Sequence, residues 1–465
     1  MSLTKVTYSM IDGAEFNVLD YGAVGDGITD DTTAIQDAID AAAVLGGVVF
    51  FPANVYLVQS GITLKTKVSL RGEGRNNVSE IKRTATGGPV ITIDQSTGVM
   101  GAVVEELKIR HTGTASADRG IYWARTTNPG FTFCSFRNLD VTGYDGLYFA
   151  GDAVGAPIWN TFDQVKAISC VNYGFYFSGV ANQNVFLNCA SAYSGNDGIR
   201  FALSGGSSAQ NIALINFASE YSGTSAANAV SGLWARGVAG LLIDNFYGEN
   251  NGPDSNFGAA FGVNSAHIWL QDCSGVEIRG GTFNKANYGI CLTSTLAKIS
   301  GCNFYEIGAF TNRKFSIGYQ TNSRIELGPN RFPSATVPML NDADNDALSL
   351  TGVAPQTASA NVFNSLVASR KFFVATGDPA TITADVGDFA VARTAASGAV
   401  DMWRQISSGV WRPIAQSVRF STTANRPTLR AQDIGVMYMD TTLAAGGKPI
   451  WWNGTAWVDS TGATV

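Results

Sequence analysis

An all-β solenoid is the fold class this sequence predicts, and three observations predict it. The first is a returning four-residue phrase: small residue, apolar, any residue, apolar. It stands as Gly120-Ile121-Tyr122-Trp123, Gly146-Leu147-Tyr148-Phe149, Gly174-Phe175-Tyr176-Phe177, Gly198-Ile199-Arg200-Phe201 and Gly232-Leu233-Trp234-Ala235. Weaker copies follow at His267-Ile268-Trp269-Leu270, Gly289-Ile290-Cys291-Leu292 and Ser316-Ile317-Gly318-Tyr319. The third positions step by 26, 28, 24, 34, 35, 22 and 27 residues, the loose period of stacked repeats. The second is composition: 52 glycines and only 15% charged residues, with plentiful Val, Ile, Thr, Phe and Tyr, favour strands and frequent turns. The third is a second repeating row. The run Asn211–Gly223 aligns with Gly240–Gly252 at a shift of 29. A backward shift of 28 puts Asn188, Cys189, Ala192, Tyr193, Ser194 and Gly195 in the same columns. One column then reads Asn188, Asn216, Asn245, with Gln164 and Asn138 before them, and stacked amides are a structural device along such an axis.

The elements follow in order. Residues 1–15 form a short lead. The glycines and aspartates from Asp20 to Asp31 read as tight turns. Asp30 or Asp31 caps a helix running to about Leu45, with Ile35, Ala38, Ile39 and Ala42 on one face. Gly46-Gly47 ends it, and Val48-Val49-Phe50-Phe51-Pro52 is a short buried strand.

The run Asn17–Pro52 resembles the N-terminal signature of the pectate-lyase-like superfamily. It carries Asp20-Tyr21-Gly22-Ala23-Val24-Gly25-Asp26-Gly27, then Thr29-Asp30-Asp31-Thr32, an amphipathic helix and Gly46-Gly47 before Phe51-Pro52. The resemblance implies a right-handed parallel β-helix from residue 16 to 333, with the helix covering its open end. Such a cover is physically needed, because a bare solenoid end exposes apolar side chains and unpaired strand edges. Residues 334–361, rich in Ala, Asp, Asn, Ser and Thr, read as a connector. Residues 362–465 form a small C-terminal β region, for trimerisation or glycan binding. Ser407-Ser408-Gly409 and Asn453-Gly454-Thr455 each turn a hairpin between Trp-rich strands. The segment from Gly435 to Val465 resembles the C-terminal tail of many phage tailspikes and tail fibres.

Composition also excludes. A net charge of -6 argues against nucleic acid as a partner, since phosphate contacts need clustered Lys and Arg. No run of about 18 apolar residues occurs, so no membrane insertion is expected. The start, Met1-Ser2-Leu3-Thr4-Lys5, leads into no apolar signal region, which implies synthesis in a host cytoplasm. The six cysteines, at 134, 170, 189, 273, 291 and 302, form no Cys-x-x-Cys pair, and there are only two histidines. A zinc site is not expected, no cofactor is implied, and the cysteines read as small core residues.

Three groups of residues carry candidate chemistry. The alignment of rows places Glu220 directly against Glu249, about 4.8 Å apart in a parallel stack. Two carboxylates at that spacing raise each other's proton affinity, so one can act as general acid, as glycoside hydrolysis requires. Asp197, near Arg200, is a third catalytic candidate, with Asp244, Asp254 and Asp272 further along. The residues between the apolar positions of the phrase point away from the core. Tyr148, Tyr176, Trp234 and Trp269 then make a column of flat rings suited to the C–H faces of sugars, and Arg200 in it suits an acidic group. His267 lies beside this column, as a substrate contact or a structural hydrogen-bonder. Acidic residues that merely face water, and rings covered by another subunit, are the plain alternatives.

The resemblance implies a phage tailspike depolymerase: a homotrimer on a virion tail that binds and cleaves a bacterial surface polysaccharide by glycoside hydrolysis. A polysaccharide lyase using Arg200, Arg236, His267 or a tyrosine is the nearest competitor, and a non-catalytic adhesin the next. The resemblance to the superfamily signature begins near residue 16, so either attachment to the tail uses a short lead through an adaptor, or the chain belongs to a branched or truncated arrangement.

Overall fold

The computed structural model describes residues 15–341 apart from Asn77, 125–129, 152–154, 205, 224–230, 252–265, 287, 306–314, 320–322, 328–329 and 332–336. Beyond these it describes 372–375, 389–392, 400–407, 410–416 and most of 420–465. The described residues fall into two compact units, one up to residue 343 and one from 365 onward. The lead, the connector from 342 and Asp254 lie outside the described residues.

The first unit is a parallel β-helix. Successive coils lay strands on three long faces, paired in parallel from coil to coil; at Val103–His111, Ser135–Thr142 and Thr161–Ile168 one strand runs across the first two faces. On one face Val185–Leu187, Gln210–Ile215, Ala239–Asp244, Ser274–Arg279 and Leu296–Ser300 follow one another. On the second, Ala190–Ala192, Ala218–Glu220, Tyr247–Glu249, Thr282–Asn284 and Asn303–Tyr305 do so. The third face carries the four-residue phrase, and its sheet has 11 strands, from Ile62–Leu64 to Val337–Asn341. The stack therefore runs past residue 333, where the coil pattern in the sequence stops. Val337–Asn341 ends this sheet among the described residues, and an edge strand tolerates Pro338 because it can lack one ladder N–H.

Between the first two faces the chain turns on one residue with left-handed backbone. Asn138, Gln164, Asn188, Asn216 and Asn245 fill that corner, with φ between 48° and 56°. Asparagine tolerates this region better than most side chains. The amides also form the expected ladder: Asn245 donates to Asn216 at 2.8 Å, and Asn216 to Asn188 at 3.1 Å. One residue choice thus meets both the backbone and the side-chain requirement.

The helix covers Thr32–Leu45 and buries Ile35, Ala38, Ile39 and Ala42, as its spacing dictates. The aspartates before it divide their work. Asp30 accepts from the Thr32 N–H at 3.1 Å and the Gln59 N–H at 3.1 Å. Asp31 turns back to the Val24 and Gly25 N–H groups, at 2.6 and 3.1 Å, and so fastens the turn-rich entry to the helix. Inside the coils, Phe136, Phe162 and Phe186 stack with centroids 5.0 and 4.7 Å apart. All six cysteines are free and buried.

Packing between the second and third faces follows a size rule. Gly174, Gly198 and Gly232 begin third-face strands, where a Cβ would meet Ser191 or Ser219 from the second face at 2.2 to 3.1 Å. In the next coil the bulk is exchanged: the third-face position is His267 and the second-face position is Gly248. A Cβ on Gly248 would stand 2.5 Å from His267 Nδ1.

The second unit holds two four-stranded sheets. Both expected hairpins are present: Val400–Ser407 with Val410–Gln416, and Lys448–Trp452 with Trp457–Val458. Val436, Tyr438, Ile450 and Trp457 form a small core, with Trp452 packed on it. The side chains of Trp403 and Trp411 lie outside the described residues. No helix among the described residues is long and apolar enough to cross a membrane.

Gly248→Ala should destabilise the first unit by about 1–3 kcal/mol through overpacking against His267. Combining it with His267→Ala should recover part of that loss. Thermal unfolding of the two single variants and the double checks this, since additive losses would show that the two positions do not share one space.

Candidate active site

The second face brings the two glutamates together. Ala218–Glu220 and Tyr247–Glu249 are three-residue strands whose middle residues, Ser219 and Gly248, point inward. Their outer residues therefore point to solvent. Register pairs Ala192 with Glu220, Glu220 with Glu249 and Glu249 with Asn284. Burial, and then the Glu249 charge, raise the Glu220 carboxyl above its usual range. Glu249 accepts from the Tyr247 hydroxyl and from Asn250 Nδ2, the latter at 3.4 Å. That hydrogen bond, burial and the two glutamate charges push the Tyr247 hydroxyl up to about 12. One carboxyl thus favours its proton while the other receives hydrogen bonds, the division of labour that acid-assisted bond cleavage needs.

An aromatic pair stands beside these carboxylates. The corner after the second face is again left-handed, at Ser169, Tyr193, Tyr221, Asn250 and Lys285, with φ between 49° and 57°. Tyr193 and Tyr221 stack there with centroids 5.0 Å apart and planes at 12°. They are 52% and 37% exposed, so core burial does not account for them. Sequence alignment puts both in one column, but only the fold shows that this column is an outward corner next to Glu220. Tyr247 is likewise invisible to spacing, because its role depends on where its hydroxyl ends.

The third face carries the column of rings. Register aligns Tyr122, Tyr148, Tyr176, Arg200, Trp234, Trp269, Cys291 and Gly318 in successive coils. Tyr148 stacks on Tyr176 at 4.6 Å, and the Arg200 guanidinium lies 3.8 Å over the Trp234 ring. Arg119, which the phrase did not single out, lies 3.8 Å over Tyr148. Both arginines are tied to carboxylates that are 1% exposed: Arg119 to Asp145 at 2.9 Å and Arg200 to Asp197 at 2.7 Å. Cys291 departs from the outward pattern and is buried.

Two sequence candidates occupy different roles from the glutamates. Asp197 is buried; it accepts from Arg200 and, at 2.7 Å, from the Ser231 N–H. Burial pushes its carboxyl up to about 6 against the pull of Arg200. Its geometry fixes Arg200 and leaves no open oxygen for a polymer. His267 is fully buried, with Nδ1 2.9 Å from Asn251 Nδ2, and burial pushes it down to about 3. The ring is neutral and internal, so it does not join the column it neighbours in sequence. Asp244 and Asp272 pair with Arg279 and Arg236 at 2.9 and 3.3 Å. No cluster of three or more metal-ligating side chains occurs among the described residues.

Comparison with known proteins agrees with this architecture. The model of the family rhamnogalacturonase A/epimerase, pectate lyase-like, matches residues 15–200. Mannuronan C5-epimerase AlgE2 of Azotobacter vinelandii is 48% identical over 68 residues, 13% of this chain and 7% of that protein. The tail spike protein of Shigella phage Sf6 is 32% identical over 106 residues, 22% of this chain and 17% of that protein. These matches thus span a small part of each relative. Among solved structures, the gp42 tailspike of Acinetobacter phage vb_AbaP_AS12 superimposes with a TM-score of 0.55 at 11% identity, covering 95% of this chain and 76% of that one. The coil-by-coil register and the capping helix make the first unit a parallel β-helix, and the pectate-lyase-like family model matches its N-terminal part, residues 15–200.

Proposed function

We propose that this protein is a phage tailspike that binds a bacterial surface polysaccharide and cleaves it by glycoside hydrolysis. The observation that carries the proposal is the pairing of Glu220 with Glu249 in adjacent coils, one raised by burial and the other receiving the Tyr247 hydroxyl. In this reading Glu220 protonates the departing glycosidic oxygen. Glu249 acts opposite it, as nucleophile or as base for water. Tyr247 positions Glu249. Tyr193 and Tyr221 bear on a sugar beside the scissile bond, and the third-face column of Tyr148, Tyr176, Trp234 and Trp269 holds more of the polymer, with Arg200 suited to an acidic substituent. The likeness to tailspikes supports placing the protein on a virion tail. A homotrimer, and attachment to the tail through an adaptor, belong to the same proposal.

A second reading is a polysaccharide lyase, favoured by Arg200, whose guanidinium lies over Trp234 and is suited to neutralise a uronate. The buried, neutral His267 does not serve it as a base, so a tyrosine would have to. A third is an adhesin that uses the same surfaces without cutting.

Purified surface polysaccharides from a panel of candidate host bacteria test all three. Hydrolysis predicts new reducing ends with no ultraviolet absorbance from an unsaturated product. Glu220→Gln and Glu249→Gln should each lower the rate by about 10²–10⁴-fold, and Tyr247→Phe by less. Full activity in both glutamate variants would remove the pair from the chemistry. Unsaturated product would establish the lyase, and binding with no release from any glycan the adhesin.

The direction of the Glu220 shift sets the pH dependence. Its carboxyl keeps its proton above the ordinary range near 4.3, and the acid form is the active one. The rate should therefore hold as pH rises through that range and fall at higher pH, as Glu220 ionises. A profile of kcat/KM against pH checks this; a limb at or below the ordinary glutamate value would assign the acid elsewhere.

A further inference from the structure

A third left-handed corner precedes the first face, far in sequence from the glutamates. Backbone hydrogen bonds from Gly101 to Thr132, Phe133 to Ile158, Trp159 to Asn182 and Gln183 to Gln210 align Gly101, Phe133, Trp159, Gln183 and Asn211 in one column. All five have φ between 53° and 66°. Glycine and asparagine adopt this conformation readily, whereas a bulky aromatic there is an outlier that calls for a reason. Core burial is not that reason, because Phe133 is 56% and Trp159 47% exposed.

The two rings stack with centroids 4.9 Å apart and planes at 10°, so the stack runs along the helix axis. Next in line beyond Phe133 comes Gly101. No described atom lies within 4 Å of the place its Cβ would take. The aromatic ladder therefore ends on an open rung. That rung is one coil thick, about 4.8 Å, within the separation of stacked rings. Met100, 62% exposed, stands beside it, and at the other end of the stack the column continues with the polar Gln183.

We propose that this corner is a second saccharide site, in which one pyranose ring of the polysaccharide lies in the Gly101 rung against the face of Phe133. The inference rests on the reading that the protein binds a glycan, but not on the reading that it cleaves one. A slot one ring thick fits a sugar. A protein partner would need about 800 Å² on each side, whereas the exposed large hydrophobics among the described residues of this part of the chain are Met100, Phe133 and Trp159. The column places the Gly101 rung four coils before Asn211, whose coil leads into Glu220, so the site lies about 19 Å from Glu220 along the axis. The first face lies between this corner and the second face that carries the glutamates, so the site tethers the polymer without touching the scissile bond.

The test uses the full chain carrying Glu220→Gln, so that bound polymer stays intact, and a purified surface polysaccharide from the panel above. Calorimetry measures its affinity. Phe133→Ala removes the platform. Gly101→Asn fills the rung with a residue that keeps left-handed backbone, and so tests the slot without removing either ring. Each should weaken binding by about threefold to tenfold, the range of one aromatic contact. In the otherwise wild-type chain, cleavage of short fragments should be unchanged. Unaltered affinity in the Gly101→Asn variant would overturn the proposal. So would a change of oligomeric state by light scattering in either variant, which would make the corner a subunit contact. Absence of binding by the parent overturns the glycan reading as a whole, whereas binding without cleavage by the wild-type chain leaves this site standing.

Discussion

Everything in the larger unit depends on the parallel hydrogen-bond ladder between successive coils. Because each strand meets its counterpart in register, a residue type placed at one position is repeated about 4.8 Å away in the next coil. Isolated side chains thereby become columns: interior phenylalanines, corner asparagines, exposed rings, and one pair of glutamates. Glu220 and Glu249 are 29 residues apart in sequence yet adjacent in space, and no active-site loop is needed to bring them together. The ladder also sets the electrostatics of the pair, since two carboxylates held at one-coil spacing compete for a proton.

The corners are the second constraint. A coil that must close within some two dozen residues turns sharply, and it does so at single left-handed residues. Where asparagine sits there, backbone preference and side-chain ladder reinforce each other, as in Asn188, Asn216 and Asn245. Where tyrosine, phenylalanine or tryptophan sits there, the local preference is violated. Those violations gather in stacked, exposed pairs, Tyr193 with Tyr221 and Phe133 with Trp159. Departures from local preference of this kind tend to mark places selected for binding.

Buried polar groups show how the interior keeps the surface in order. Asp145 and Asp197 are hidden, and each anchors an arginine over a ring of the outer column. Each arginine is thus held over its ring while its side chain stays partly exposed, 19% for Arg119 and 25% for Arg200. His267 is the converse case: it stands at a position where earlier coils have glycine, and Gly248 opposite leaves room for it. Its neutrality follows from burial, and its role is to fill space and bond Asn251.

By itself the sequence determined the solenoid, the capping helix, the amide ladder, the column from Tyr122 to Trp269 and the pairing of the glutamates. All of these are periodic, and a parallel stack turns period directly into position. It also carried, in Asn17–Pro52, a run that resembles the pectate-lyase-like signature. Tertiary structure alone decided which way individual side chains turn where the period breaks. The phrase cannot reveal that His267 lies inside, because its place depends on Gly248, a residue of another face. Nor can it reveal that Asp197 is sealed under Arg200, that Tyr247 reaches Glu249, or that Tyr193 and Phe133 stand on open corners. Burial and hydrogen bonding at these points arise from contacts between faces, and the one-dimensional repeat holds no record of them.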